Sequence, residues 1–277
     1  MKLTVLVDNN TIIDNYLIGE PGVCYLIESG PIKLLFDTGY SDVFIQNAQT
    51  LGVDLHTLNT IVLSHGHNDH SWGIGHLAQY YDHSHHPATP IKLITHPDAC
   101  RPKQYDGLEI GAKFSTDELG PWLETITSQT PYRIADDLIF LGEIPRANDF
   151  EGLHPVGCTL DHDGHTVEDF VRDDSALVCT TSKGLVVITG CSHSGICNIL
   201  EYAKKVADDD RVVAVLGGFH LQNAKPEILA RTSLYFEQLN AETLYPCHCT
   251  DLRAKIALDQ VADIQEVGVG LVLDFAQ

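Results

Sequence analysis

Short apolar runs recur along the first third of the chain, and turns rich in Gly, Pro and Asp separate them. Runs of a few residues bounded by such turns are typical of buried strands. Two stretches instead place apolar residues at helical spacing after a serine suited to an N-cap, which predicts helices. The predicted strands are 3–7, 23–28, 33–36, 61–63 and 91–95, and the predicted helices are 41–51 and 72–81.

The second half of the chain returns to the same alternation of strands and helices. The predicted elements there are strands at 176–180, 185–189, 211–216 and 243–245, and a helix at 196–206. Between the two halves, segment 98–174 contains more Pro, Gly and charge, and only 138–141 has the composition of a strand. Strands that alternate with helices in this way are typical of the α/β class.

The predicted strand at 61–63 runs directly into the sequence HGHNDH, which offers four metal ligands within six residues. Side chains alternate in an extended segment, so His65 and His67 share one side. Gly66 lets the backbone turn, which directs Asp69 and His70 to a second position close by. This spacing suits two neighbouring cations better than one, and it predicts a metal site.

Three later strands also end in a histidine, at His193, His220 and His248. A strand followed by a glycine-containing turn and a helix delivers a side chain to the end of the strand, and His193 fits that description. Cys247 and Cys249 flank His248. In an extended segment they point away from it, so all three side chains cannot face one cation.

Composition narrows the classes of partner. The 277 residues are 44% apolar and 20% charged, which is ample for a core. With 17 Lys plus Arg against 38 Asp plus Glu, the formal charge is -21. Nucleic acids and anionic membranes attract basic surfaces, so we expect neither as a partner. A small-molecule substrate remains, and a homo-oligomer is compatible with the sequence.

The first apolar run ends at Asp8, which is too early for a signal peptide, and no stretch approaches the roughly 18 apolar residues of a membrane span. These features predict a cytoplasmic protein. Eight cysteines in a chain without a secretion signal argue for free thiols rather than for a disulfide framework.

HGHNDH resembles the HxHxDH signature of the metallo-β-lactamase superfamily. The surrounding sequence is similar to one branch of it, the metallo-hydrolases that resemble 7,8-dihydropterin-6-ylmethyl-4-(ribofuranosyl)aminobenzene 5'-phosphate synthase. The resemblance extends through nearly the whole chain and is carried by LTVLVDNNT, LLFDTGYSD, LSHGHNDHSWGI, ITHPDAC, VVITGCSHSGICNIL, VLGGFHL and PCHCT.

This resemblance implies an α/β fold of four layers, the αββα sandwich. Two mixed sheets pack face to face with helices outside. We expect one such domain over residues 1–277, with segment 98–174 as an elaboration that covers the metal cleft. Long segments without regular structure are uncommon unless they serve as lids or binding walls.

The resemblance also implies how the ligands divide between two cations. One cation takes His65, His67 and His193, and the other takes Asp69, His70 and His248, with a water or hydroxide between them. Imidazole and carboxylate ligands suit zinc, although manganese or iron would be accepted by the same set.

Four further residues have roles that the sequence leaves open. In the superfamily Asp37 lies under the metals and would orient a ligand histidine, although a turn aspartate explains it as well. His96 is either a substrate contact or structural. Cys191 replaces the bridging aspartate of many members, and is either a thiolate ligand or a packing residue. His220 is a ligand, a core histidine or, slightly favoured, a proton donor.

Two cations would lower the pKa of bound water and act as Lewis acids. The sequence therefore predicts a binuclear hydrolase that uses a metal-bridging hydroxide on a small-molecule ester or phosphoester, with Asp69 and His220 as catalytic residues. One alternative is a dihydropterin diphosphate-dependent synthase that displaces pyrophosphate. Another is a non-catalytic metal-binding sensor or partner module.

Departures from the branch leave the substrate open. The branch typically has His, Ser and Gly where this chain has Pro21, Cys24 and Asp251. A phosphorylated substrate would need basic side chains to offset the acidic surface. The candidates in the covering segment are Arg101, Lys103, Arg133, Arg146 and Arg172.

Overall fold

The structure is a computed structural model, and it describes residues 1–87, 89–115, 121–161 and 163–275. Every strand and helix predicted up to residue 95 is present within about two residues of its expected bounds. The elements in this part are β1 (Lys2–Val7), β2 (Cys24–Ser29), β3 (Ile32–Phe36), α1 (Val43–Thr50), a 3₁₀ turn (Leu55–Thr57), β4 (Thr60–Val62), α2 (Asn68–Ser71), α3 (Gly73–His83) and β5 (Ile91–Thr95).

The middle of the chain contains more strands than its composition predicts. They are β6 (Lys103–Tyr105), β7 (Leu108–Glu109), β8 (Leu123–Thr127), β9 (Tyr132–Ala135), β10 (Leu138–Phe140), β11 (Cys158–Leu160) and β12 (Thr166–Glu168). The last third contains β13 (Ala176–Thr180), β14 (Leu185–Thr189), α4 (Ile196–Ala207), β15 (Val212–Gly218), α5 (Pro226–Leu239), β16 (Thr243–Cys247), α6 (Leu252–Leu258) and β17 (Val272–Asp274).

Two mixed sheets form the body of the structure. The first has the order β17-β1-β2-β3-β4-β5-β8 and the second has the order β16-β15-β14-β13-β10-β9. In the first sheet β3, β4, β5 and β8 are parallel, and in the second β14, β15 and β16 are parallel. Strands from both ends of the chain share the first sheet, because β17 pairs with β1.

The strands bury both faces, and alternate residues along each strand enter different cores. Between the sheets lies a cluster that includes Phe36 from β3 and Phe140 from β10. The intervening residues face outward, where Leu35 packs with α1 and α3, and Val187 packs with α4. The layers are therefore helices, sheet, sheet and helices, which confirms the predicted αββα sandwich.

Segment 98–174 differs from the irregular elaboration that the sequence predicts. β8 extends the first sheet, β9 and β10 extend the second, and β6, β7, β11 and β12 form a separate four-stranded sheet. β10 is buried and matches the strand predicted at 138–141, but the other strands are short and largely exposed or half-buried, as in the fully exposed β12, Thr166–Glu168. A strand without a buried face has no apolar alternation, so the hydrophobic pattern could not reveal it.

The eight cysteines are free thiols, as the sequence predicts. Across the residues that the structure describes, none of the helices has both the length and the apolar character needed to cross a membrane.

Candidate metal centre

The predicted ligands follow strands that run parallel in their own sheets. His65 follows β4, Cys191 and His193 follow β14, and His248 follows β16. The carboxyl ends of parallel strands meet at one edge of a sheet, so these turns converge. Non-glycine residues with positive φ mark the same edge, at 58° for Asp37, 62° for Ser192, 52° for His220 and 49° for His248. Such strained residues cluster at functional sites.

Three histidines form the first set of candidate ligands. His65, His67 and His193 are buried, and their ligand atoms all lie within 4.8 Å of one another. Nε2 of His65 is 3.0 Å from Nδ1 of His67. The ring of His193 meets both other rings nearly edge-on, with centroids 4.8 and 4.7 Å away. These are the three residues that the resemblance assigns to one cation.

The second set contains the three other predicted ligands and a cysteine. Asp69, His70, Cys191 and His248 bring their ligand atoms within 4.8 Å of one another. Sγ of Cys191 lies 3.1 Å from Nε2 of both His70 and His248. Oδ2 of Asp69 is 3.3 Å from Nε2 of His248. Cys191 therefore faces the candidate cation site rather than the core. The two sets adjoin, because the ring centroids of His65 and His70 are 4.2 Å apart.

Asp37 lies beneath both sets and contacts His70 directly and His65 through Ser64. One oxygen of its buried carboxylate accepts the backbone N–H of Ser64 at 2.7 Å, and the other accepts the Ser64 hydroxyl and contacts Nδ1 of His70, each at 2.7 Å. The Ser64 hydroxyl is also 2.9 Å from Nδ1 of His65. This placement supports the orienting role that the resemblance implies, since such contacts fix ring orientation and tautomer.

Two glycines allow the strand ends to approach so closely. A Cβ added to Gly190 would lie 2.1 Å from the hydroxyl of Ser64, and one added to Gly66 would lie 1.8 Å from the carbonyl oxygen of Ala99. The N–H of Gly66 donates to Asp173 at 2.8 Å, and Asp173 forms a buried ion pair with Lys103 at 2.8 Å. This hydrogen bond and the ion pair behind it therefore hold the loop that carries His65 and His67 in place.

The protonation states of the first set suit metal binding. Burial, together with the neighbouring histidines, lowers the pKa of His65 and His193 well below the usual range. Burial, followed by the charge of Lys103, lowers the pKa of His67 to about 4. These rings are neutral near pH 7, and the neutral imidazole is the form that binds a metal.

The second set instead favours positive charge. Burial disfavours protonation of His70, but the carboxylates of Asp69 and Asp37 outweigh it and raise the pKa of His70 to about 9. Burial also works against ionisation of Asp69, yet His70 and His248 lower its pKa below the usual range. The site thus contains an ionised carboxylate with a proton on the ring beside it. A bound cation would replace that proton as the positive charge beside the carboxylate.

Buried atoms without partners provide a direct test of whether metals fit. Among the described residues, Nε2 of His67 and both ring nitrogens of His193 are buried and have no hydrogen-bond partner. Leaving a buried polar atom unpaired costs about 1–3 kcal/mol. Three imidazoles suit zinc, and a carboxylate, two imidazoles and a thiolate also suit zinc, because thiolates disfavour harder cations such as manganese. The donor sets therefore fit two transition-metal ions.

His220 lies at the mouth of the site, with its ring centroid 4.4 Å from that of His193. Desolvation disfavours its charged form, but the hydrogen bond and the charge of Cys249 raise the pKa of His220. A protonated ring in this position can donate a proton, whereas a core role does not agree with its exposed side chain. Cys249 itself contacts the carbonyl oxygen of Cys191 at 3.3 Å, and Cys247 contacts the hydroxyl of Tyr25 at 3.1 Å.

His96 is buried at the end of β5 and lies outside both sets. Its Nδ1 accepts the N–H of Asp98 at 3.1 Å, and its Nε2 is 3.7 Å from a carboxylate oxygen of Glu143. Burial lowers the pKa of His96, against the opposing charge of Asp173. The contact of Nδ1 agrees with a structural role, whereas Nε2 is buried without a hydrogen-bond partner, so the substrate contact stays a prediction.

A pocket of about 250 Å³ opens beside the first set, and His193 and His220 form part of its wall. None of the five basic residues predicted to bind a phosphate is among its described lining residues; Arg101, Lys103 and Arg172 line a separate cavity of about 620 Å³. Arg133 and Arg146 donate to backbone carbonyl groups. The basic residue in the pocket wall is Lys225, which the sequence did not single out.

Other supporting residues also escaped the sequence analysis. Ser64 and Asp173 hold the histidine loop, and Oδ1 of Asn9 lies 2.9 Å from Nδ1 of His248. Asn9 belongs to the LTVLVDNNT stretch and Ser64 to the LSHGHNDHSWGI stretch, so the resemblance contained a signal for both. Asp173 and the pocket-wall residues from the 150–171 segment had none, because they are distant from the ligands in sequence.

Comparison with known proteins agrees with this arrangement. The sequence model of the metallo-beta-lactamase superfamily matches residues 17–248, which is most of the chain. The chain belongs to the metallo-β-lactamase superfamily. Within this superfamily, it is 32% identical over 275 residues to an uncharacterized protein of Methanocaldococcus jannaschii, and the match covers 98% of this chain and 99% of that one.

Two further superfamily relatives have functional descriptions. A second protein of Methanocaldococcus jannaschii, named 7,8-dihydropterin-6-methyl-4-(beta-D-ribofuranosyl)-aminobenzene-5'-phosphate synthase, is 30% identical over 252 residues, which cover 85% of this chain and 83% of that one. The crystal structure of Tm1679, described as a metal-dependent hydrolase of the β-lactamase superfamily, is 30% identical, covers 100% of both chains and superposes with a TM-score of 0.85. The sequence-based assignment to the superfamily is confirmed.

Proposed function

We propose that the protein is a binuclear metal-dependent hydrolase that cleaves a small-molecule ester or phosphoester. The observation that carries this proposal is the pairing of the two sets of ligands, which adjoin through His65 and His70 and open onto one pocket through His193. The likeness to a metal-dependent hydrolase over the full length of the chain supports it.

His65, His67 and His193 would hold one cation, and Asp69, His70, Cys191 and His248 the other. When bound, such a pair supplies Lewis acidity and lowers the pKa of water. Asp37 contributes by fixing His70 directly and His65 through Ser64. These contacts hold the rings in one tautomer, so the positions of the donor atoms do not have to be organised during the reaction.

The remaining catalytic roles belong to Asp69 and His220. The lowered pKa of Asp69 keeps its carboxylate ionised, so it can accept a hydrogen bond from the attacking water. The raised pKa of His220, at the mouth of the pocket, allows its ring to hold a proton and pass it to the leaving oxygen. Together these groups would place a proton acceptor and a proton donor around the scissile bond.

Metal analysis and activity together test this proposal. We expect about two zinc or iron ions per chain after reconstitution, because the residues form two sets of donors and the thiolate in one of them disfavours manganese. His65→Ala should lower the metal content and abolish hydrolysis of the class of substrate that the unmodified protein cleaves, whether carboxylic esters or phosphodiesters. His83→Ala is the matched control, because His83 is exposed and contacts the carbonyl oxygen of Gln79. A metal content well below one, or two bound metals without turnover on either class, would contradict the proposal.

A second candidate is the synthase reaction, which the 30% identity to the named synthase favours. In that case a dihydropterin diphosphate should release pyrophosphate only when the ribofuranosyl-aminobenzene phosphate is also supplied. A hydrolase should act without the second substrate. Product analysis with and without it separates the two reactions.

A further inference from the structure

The pocket beside His193 and His220 has a wall that is largely apolar. Its apolar lining residues come from the 150–171 segment, from the turn after β15 and from the first turn of α5. The largest of them are Phe150, Leu153, Phe170, Phe219, Leu221 and Ile228. Since His193 is a candidate metal ligand, whatever fills this pocket lies directly against the bond to be cleaved.

The wall is held in place by contacts from outside the pocket. Arg146 donates through Nε to the carbonyl oxygen of Gly152 at 3.1 Å, and its Nη2 donates to those of Phe170 and Val171. Phe219 is 1% exposed and stacks on Phe236 with ring centroids 5.5 Å apart. Because these neighbours are fixed, the pocket has a defined shape before any ligand binds.

The polar groups that line the inner part of the pocket are already engaged. The hydroxyl of Ser192 donates to the carbonyl oxygen of Gly218 at 2.6 Å. The carboxylate of Glu151 accepts the N–H of Cys197 at 3.1 Å and the side-chain amide of Asn148 at 2.7 Å. Apart from the two histidines, the inner wall therefore offers an occupant apolar contact more than hydrogen bonds.

The volume sets the size of the occupant. About 250 Å³ is below the roughly 300–1,000 Å³ typical of pockets for drug-sized ligands, whereas about 150 Å³ is enough for benzene in an apolar cavity. A single ring or a short branched chain fits within it. Scaled from benzene, a fused two-ring group needs roughly 230 Å³ and still fits, whereas three fused rings would exceed the pocket. The polar residues His154, Gln222 and Lys225 lie exposed in the outer part of the same wall.

We infer that this pocket selects substrates with a compact apolar group, one ring, two fused rings or a branched chain of similar size, attached next to the scissile ester or phosphoester bond. The inference rests on the proposed hydrolase function. It adds that Phe150, Phe170 and the neighbouring pocket residues determine which class of substrate is cleaved, because they would contact the apolar group next to the scissile bond.

Esters with leaving alcohols of closely similar pKa test the size preference without changing intrinsic reactivity. The acetates of methanol, benzyl alcohol, 2-naphthylmethanol and 2-anthracenylmethanol form one series, and the corresponding methylphosphonate esters form a second. With metal-loaded protein, we expect kcat/KM for the benzyl and naphthylmethyl members of the active series to exceed that of the methyl and anthracenylmethyl members by tenfold or more, because those two groups gain apolar burial without exceeding the pocket.

A variant that fills the pocket ties this preference to its wall. Leu153 lines the pocket and is 47% exposed, so Leu153→Trp can be accommodated without disturbing the core. It should lower kcat/KM for the benzyl ester at least tenfold more than for the methyl ester. Leu108→Trp is the matched control, since Leu108 is 68% exposed on β7 and should leave both values unchanged. NMR titration of the metal-free and metal-loaded proteins measures the binding of benzyl alcohol. The affinity should fall in Leu153→Trp and stay unchanged in Leu108→Trp.

The outcomes separate this inference from the function on which it rests. Hydrolysis that is indifferent to group size, or that Leu153→Trp reduces equally for methyl and benzyl esters, would overturn the inference and leave the hydrolase proposal in place. Absence of hydrolysis in both series, with benzyl alcohol bound and then lost in Leu153→Trp, would support the pocket assignment and count against the hydrolase. Absence of both hydrolysis and binding would overturn both.

Discussion

At the scale of single residues, Cys191 is where the structure extends the sequence analysis furthest. The sequence left it between a thiolate ligand and a packing residue. Its Sγ lies 3.1 Å from Nε2 of two candidate ligands, His70 and His248, so a bound cation would meet the sulfur. Burial raises the pKa of the Cys191 thiol well above its usual range, followed by the hydrogen bond with Cys249. A divalent cation reverses that preference, because it deprotonates a coordinating thiol.

Cobalt substitution tests this assignment. We expect the cobalt-loaded protein to show the near-ultraviolet charge-transfer band of a cobalt–thiolate bond. Cys191→Ser should lose that band and should bind one of the two cobalt ions much more weakly. Cys249→Ser is the control, since Cys249 contacts the carbonyl oxygen of Cys191 but belongs to neither set. A band that survives in Cys191→Ser and disappears in Cys249→Ser would show that the other thiol is the ligand.

Lys225 replaces the predicted basic residues as the candidate contact for a charged substrate. It lines the pocket, whereas Lys103 is committed to Asp169 and Asp173. Lys225→Gln should raise KM for the benzyl methylphosphonate ester about three- to tenfold at low salt and less at high salt, because an exposed charge is screened. KM for benzyl acetate should not change, since that ester is neutral.

Lys205→Gln provides the matched control on α4, where Lys205 is exposed and lies outside the pocket lining. Equal changes in KM for the charged and the neutral ester would mean that Lys225 acts through the shape of the wall rather than through its charge.

At the scale of elements, the sequence predicted the strands with a buried face and missed those without one. β14, Leu185–Thr189, is buried at every residue and appears as a continuous apolar run. β12 is exposed at every residue and contains Thr166 to Glu168, which carry no such pattern. The same contrast holds for the candidate site. His65 and His67 are revealed by local spacing, but the contact between Gly66 and Asp173 joins positions more than a hundred residues apart, which no local pattern reports.

Arg146 joins two segments of the pocket wall, and its removal should affect substrate binding more than metal binding. The side chain donates to the carbonyl oxygens of Gly152, Phe170 and Val171. Arg146→Gln should leave these acceptors partly unpaired, which costs about 1–3 kcal/mol of stability, and should lower kcat/KM for the benzyl ester about tenfold. Urea unfolding, kinetics and metal analysis on one preparation measure the three quantities.

Arg133→Gln is the matched control for Arg146, because Arg133 is exposed and donates to the single carbonyl oxygen of Asp136. It should change neither stability nor kinetics appreciably. Loss of metal from Arg146→Gln, in proportion to the loss of activity, would mean that the wall and the metal centre are one cooperative unit.

At the scale of the whole molecule, a buried ion pair connects the small third sheet to the metal centre. Lys103, on β6, donates to Asp169 at 2.9 Å and to Asp173 at 2.8 Å, and Asp173 accepts the N–H of Gly66 in the histidine loop. All three charged groups are nearly inaccessible to solvent. Removing one partner of a buried pair leaves an uncompensated charge, so Lys103→Met should lower the free energy of unfolding by about 3–5 kcal/mol near pH 7.

The pH dependence of this loss distinguishes an ion pair from simple packing. Burial opposes ionisation of Asp173, but Lys103 lowers its pKa in the folded protein. Its stabilising contribution is therefore present above the unfolded pKa of about 3.9 and is lost only as pH falls through the lower folded value. The pKa of Lys103 is raised in the folded protein. Its contribution to stability is therefore present below the unfolded pKa of about 10 and is lost only as pH rises through the higher folded value. In Lys103→Met, burial without the lysine should raise the pKa of Asp173, so its carboxyl group takes up a proton at a higher pH.

The difference in unfolding free energy between wild type and Lys103→Met should consequently be largest near pH 7 and shrink by pH 5, when the unpaired carboxyl group of Asp173 becomes neutral. Urea unfolding at the two pH values measures it, with Lys183→Met, an exposed turn lysine, as the control that should change little at either. A difference that is the same at both pH values would mean that Lys103 stabilises the fold through the packing of its side chain. In that case the contact between Asp173 and the loop that carries His65 and His67 would not depend on the charge of Lys103.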